Sequence, residues 1–178
     1  NPDQNRFEAT FISEGPISTN GTEGAFGYGV LSQGGFSIMG NYSRDASIVT
    51  HTHRAILDSE DQSSIDDPVW HNHLVTLGNV EQCGGNLGVI DSTWQSPGEV
   101  RIDNNNATIS QIPTGEFEGT HSTTGEPLSM RLGGPREGYS VASFRLNPVI
   151  GEGGLEAVCL TDFSYSDFEY MTELRTPP

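Results

Sequence analysis

Lysine is missing from this 178-residue chain, and all 8 of its basic residues are arginine. Against 24 acidic residues they leave a formal net charge of -16. A surface so negative repels phosphate backbones and anionic headgroups, which excludes nucleic acid and membranes as partners, and it attracts cations. No apolar run approaches the length needed to span a bilayer, so membrane insertion is not expected. Stretches of helical period are also missing. Short segments rich in β-branched and aromatic residues are instead punctuated by 22 glycines and 10 prolines. That pattern predicts an all-β protein, an antiparallel β-sandwich of immunoglobulin or superoxide-dismutase type with Greek-key connections, formed as one domain over residues 1–178.

Cysteine is nearly absent. The pair Cys83 and Cys159, far apart in the chain, suits one disulfide. Closing a loop of that size is worth about 4.5 kcal/mol in the chain-entropy picture. A disulfide points to an oxidising compartment. Three sequons, at Asn20, Asn41 and Asn106, are candidate glycosylation sites. The chain opens Asn1-Pro2-Asp3, as a form trimmed of a signal peptide would. Together these features predict a secreted or cell-surface glycoprotein.

What is plentiful is histidine in one place. Four of the 5 histidines form two His-x-His pairs, in V-T-H-T-H-R-A and V-W-H-N-H-L-V. On a strand, residues two apart share a face. His51 and His53 then lie with Val49 and Ala55, and His71 and His73 with Val69 and Val75. If the two strands are neighbours, four imidazoles converge. Imidazole donors suit copper or zinc over calcium or magnesium, and copper is favoured, with zinc the alternative. With both cysteines in a disulfide, a thiolate zinc site is excluded. Asp58 and Asp91 are candidate hydrogen-bond acceptors that fix the histidine tautomers. Between the pairs, residues 58–67 read as an acidic solvent loop closed by Pro68, with no EF-hand spacing.

The remaining strands are expected at Phe7–Phe11, Ala25–Leu31, residues 36–39, Val89–Ile90, Glu99–Ile102, Ala107–Ile112, Gly115–Thr120 and Leu155–Phe163. Residues 128–132 and 139–146 are expected to form a hairpin around Gly133-Gly134-Pro135. Phe26, Tyr28 and Val30 should share one face.

The order His51-Thr52-His53, then His71, then His73 followed by Leu77-Gly78-Asn79-Val80, then a distant His121, resembles the copper–zinc superoxide dismutase family. The opening Phe7–Phe11 alternation, a glycine-rich strand to Leu31 and a strand ending in His-x-His also resemble a chordin-type (CHRD) domain. These resemblances imply a copper site on a β-sandwich, with His121 as a further ligand. The chain departs from the dismutase pattern at two points. Thr76 stands where the family has a zinc-binding aspartate, and Glu156 where it has the arginine that guides superoxide. The resemblance therefore implies a copper-binding histidine cluster more than a redox enzyme, with a copper oxidoreductase as the enzymatic alternative.

A different reading is a self-assembling subunit of an extracellular filament, sheath or surface layer. In it the ends, residues 1–14 and 164–178, dock on neighbouring subunits as added strands, and metal could bridge the subunits. A carbohydrate-binding surface built on Trp70, Trp94 and the tyrosines is a third reading, set against the commoner use of aromatics as core. No nucleophile elbow and no carboxylate spacing picks out a hydrolase.

Overall fold

Eleven antiparallel strands carry the structure, a computed structural model that describes residues 6–22, 24–31, 46–133 and 140–167. They are β1 (Arg6–Ile12), β2 (Phe26–Leu31), β3 (Ser47–Thr52), β4 (His71–Asn79), β5 (Leu87–Ser92), β6 (Glu99–Asp103), β7 (Asn106–Pro113), β8 (Gly115–Thr120), β9 (Pro127–Leu132), β10 (Ser140–Gly151) and β11 (Gly154–Asp167). Among the described residues the only helical element is a single 3-10 turn, Glu81–Cys83. The all-β, antiparallel class read from the sequence is the class found.

The finer architecture differs from a plain two-sheet sandwich. Six strands close into a barrel in the order β10-β11-β5-β4-β3-β2, and the β2–β10 pairing makes the closure. A three-stranded sheet, β1-β7-β6, and a two-stranded sheet, β8-β9, stand outside it. One core lies between these sheets and the outer face of the barrel. It contains Phe11, Ile109, Ile112 and Met130 from the sheets, and Val30, Ile48, Trp70 and Leu74 from the barrel side. A second core fills the barrel with Val49, Val75, Leu77, Phe144 and Leu160.

The two cores explain β3 and β4. Every residue of β3 is buried, as are the first eight of β4. Both faces of these strands are covered, so polar residues on either face must find partners inside the protein. On the outer face, Phe26, Tyr28 and Val30 do share a side, and Tyr28 stacks on both Phe11 and Trp70. Trp70 is core, and its indole N–H donates to the Ser18 carbonyl.

Cys83 and Cys159 form the expected disulfide, with Cα atoms 5.4 Å apart and a sequence separation of 76. It lies beyond the Asn79 end of β4, packed with Val80, Val149 and Ala157. The expected late hairpin does not form. β9 pairs with β8, and β10 pairs with β11 and β2. The Gly-Pro turn signal is local, whereas barrel closure is decided by long-range pairing. The N-terminal strand β1 pairs with β7 of its own chain. The sequon at Asn41, the strand expected over residues 36–39 and the tail from residue 168 lie outside the described residues.

Candidate metal centre

β3 and β4 are direct neighbours, and His51 stands opposite His71 while Val49 stands opposite His73. Both His-x-His pairs therefore face the barrel interior, at the end away from the disulfide. The imidazole centroids of His51 lie 4.4 Å from His71, 4.9 Å from His73 and 5.0 Å from His53. His53 to His71 is 5.2 Å and His71 to His73 is 4.9 Å. All four histidines are buried.

The opposite neighbour of His51 is Gly27 on β2. A Cβ there would meet the Thr50 carbonyl oxygen at 2.6 Å and the His51 Cβ at 2.8 Å. The glycine alternation in F-G-Y-G thus clears the inner face for the imidazoles, while the aromatics pack outward. Gly27→Ala is expected to push His51 out of place. It should cost about 1–3 kcal/mol of stability as an overpacking substitution and lower metal affinity by about tenfold or more, as read by denaturant melts and metal titration.

The expected pattern breaks at Ala55. The chain leaves β3 after Thr52, and Ala55 takes a left-handed conformation with φ 71°. It is exposed rather than facing the barrel. That turn sends the following loop back over the barrel end and brings in Asp58, whose carboxylate faces the histidines. Asp58 Oδ1 is 3.2 Å from His53 Nε2 and 3.4 Å from His71 Nε2, and Oδ2 is 3.7 Å from His73 Nε2. One donor atom from each of His51, His53, Asp58 and His71 falls within 4.8 Å of the others. Two ligands on opposite sides of an ion, each about 2.0–2.2 Å from it, lie about 4.4 Å apart, so the four donors are gathered on the scale of one coordination sphere.

Backbone carbonyls set the tautomers of His71 and His73, while Asp58 accepts from His53 Nε2 at 3.2 Å. His71 Nδ1 donates to the Val69 carbonyl at 2.9 Å, and His73 Nδ1 donates to the Thr93 carbonyl. A carbonyl only accepts, so in each neutral ring the proton is on Nδ1 and Nε2 presents a lone pair. Both Nε2 atoms are buried without a hydrogen-bond partner. They point their lone pairs toward the oxygens of one carboxylate. Two acceptors facing one another in a dry site repel unless a cation lies between them.

At His73, and on the neighbouring His51 ring, a proton is poorly suited to be that cation. Burial, reinforced by the neighbouring imidazoles, holds His51 well below the ordinary histidine range. Burial also lowers His73 to about 4, against the opposing pull of Asp58. Burial alone would raise the Asp58 carboxyl, but the close approach of His53 and His71 outweighs it and keeps the group ionised well below its usual range. His51 and His73 are thereby held neutral beside an ionised Asp58, which is the protonation state a metal requires of these ligands.

His121 sits elsewhere. Its Nδ1 accepts from the Thr123 backbone N–H at 3.2 Å, and its Nε2 lies 4.0 Å from Asp91 Oδ1. Asp91 in turn accepts a hydrogen bond from Thr76 at 2.9 Å. His121 also bridges to Thr93, whose carbonyl orients His73. It thus touches the cluster through the backbone. Asp58 is the donor that the strand pattern did not reveal as a ligand, because it follows a break in the strand and no local periodicity marks it.

The chain matches no protein-family model, no curated protein and no solved structure.

Proposed function

We propose that this chain is a secreted metal-binding protein that holds one transition-metal ion, copper by preference and zinc as the alternative, among His51, His53, His71, His73 and Asp58. The observation that carries this reading is the convergence of buried imidazoles, with the Nε2 lone pairs of His71 and His73 fixed by backbone carbonyls, on the single partly buried carboxylate of Asp58. Nitrogen-rich donor sets with one carboxylate bind first-row divalent ions, and copper(II) heads the affinity order at a site that imposes no other preference. One negative ligand against a divalent ion leaves a small net charge to bury, and the surrounding surface charge of -16 further favours a cation. Five candidate donors leave little room for a substrate, which favours holding the ion over turning one over. Secretion is supported by the buried disulfide.

Elemental analysis of protein purified without an affinity metal and then exposed to equimolar copper and zinc tests the reading. About one tightly held ion per chain, mostly copper, is expected. A chain that retains no transition metal after desalting would sink it.

A further inference from the structure

The imidazoles are almost wholly closed off from solvent, and the group beside them with the most exposure is Asp58. The side chains of His53, His71 and His73 are 7%, 0% and 3% exposed, whereas that of Asp58 is 18% exposed. Behind the cluster the barrel is packed with Val49, Val75, Leu77, Phe144 and Leu160. An ion therefore reaches the histidines past Asp58, and Asp58 rides on the loop of residues 54–67.

We propose that this loop is the gate through which the cation enters and leaves, and that Gln62 is its latch, a role that rests on the metal-binding reading above. Gln62 is buried at 7% exposure although the loop around it is largely exposed. Its Oε1 accepts the backbone N–H groups of Asp58 at 3.0 Å and Ser59 at 3.2 Å. Its Nε2 donates to the Ile56 carbonyl at 3.1 Å. The residues around Asp58 belong to no strand, and one side-chain amide supplies the partners that a ladder would otherwise give them. The loop is fastened to the rest of the protein at few points. Ala55 N–H donates within the loop to the Ile65 carbonyl at 2.6 Å, and the outward ties are Arg54 Nε to the Asn20 carbonyl at 3.0 Å, Glu60 N–H to the Trp94 carbonyl at 3.0 Å and Ser96 N–H to Glu60 Oε1 at 3.1 Å. The left-handed Ala55 marks where the loop departs from β3, a costly conformation for a residue with a side chain and a natural pivot. Glu60, Asp61 and Asp66 stand exposed on the outside, where they draw cations toward the opening.

Stopped-flow measurement of copper(II) uptake, and of its release into excess EDTA, tests the gate in Gln62→Ala, with Ile65→Ala, at an exposed side chain, as a reference in the same loop. Uptake and release should both accelerate by about tenfold or more in Gln62→Ala, with Kd changing less than either rate, and Ile65→Ala should match the wild type. If Gln62→Ala does not fold, Glu60→Ala, which cuts the tie to Ser96, should show the same paired acceleration. Unchanged rates would overturn the gate. Faster release with unchanged uptake would also overturn it, since that is the signature of a weakened ligand. Absence of copper binding in the wild type would instead remove the metal reading itself.

Discussion

The double variant His51→Ala/His71→Ala is expected to lose copper almost completely. Metal sites built from four protein ligands bind with about 10–16 kcal/mol at neutral pH, so each ligand accounts for about 2.5–4 kcal/mol. Each tenfold change in affinity is about 1.4 kcal/mol, and two lost imidazoles therefore weaken binding by about three orders of magnitude or more. The variant should still fold. His51 and His71 stand opposite one another, and removing both leaves fewer buried unpaired nitrogens. Metal titration with circular dichroism on the same samples checks both parts. Retention of wild-type affinity would place the ion elsewhere.

Stripping the metal and breaking the disulfide should destabilise the barrel independently. The histidine cluster lies at the His71 end of β4, and Cys83 follows its far end at Asn79. Nine extended residues span about 27 Å, well beyond the separation at which two sites influence one another's contribution. An ion at a thousand times its Kd stabilises by about 4 kcal/mol if the unfolded chain does not bind it. The disulfide is worth about 4.5 kcal/mol. For a chain of this size each 1 kcal/mol moves Tm by about 2–4 °C. Apo protein and Cys83→Ala/Cys159→Ala should each melt about 8–18 °C lower than the copper-loaded wild type, and the two losses should add. A metal effect that vanishes in the disulfide-free protein would show that the two ends are coupled after all.

Much of this design is readable from the amino acids, and the part that is not has physical causes. The His-x-His pairs announce themselves because a strand repeats every two residues, so burial of one member predicts burial of the other. The alternation Phe26-Gly27-Tyr28-Gly29-Val30 likewise records one packed face and one cleared face. The disulfide follows from there being only two cysteines. Closure into a barrel does not show in any local pattern, because it depends on β2 meeting β10 across more than half the chain. The same long-range pairing defeated the expected hairpin at Gly133-Gly134. Asp58 reads as an acid in an acidic loop and as a partner that orients histidines, which it is for His53. Its place facing the Nε2 atoms depends on the backbone turn at Ala55 and on the hydrogen bonds of Gln62, neither of which leaves a periodic trace. Carbonyls of Val69 and Thr93 orient His71 and His73 in its stead, and backbone atoms have no letter in a sequence.

The most direct measurement is X-ray absorption at the copper edge on protein loaded with one equivalent of copper(II), paired with the same spectrum of Asp58→Asn. A first shell of nitrogen and oxygen at about 2.0 Å, with the outer-shell scattering of three or four imidazoles, is expected in the wild type. The imidazole scattering should persist in Asp58→Asn while affinity drops. A shell with one imidazole or none would contradict the assignment of the ion to the β3–β4 histidines.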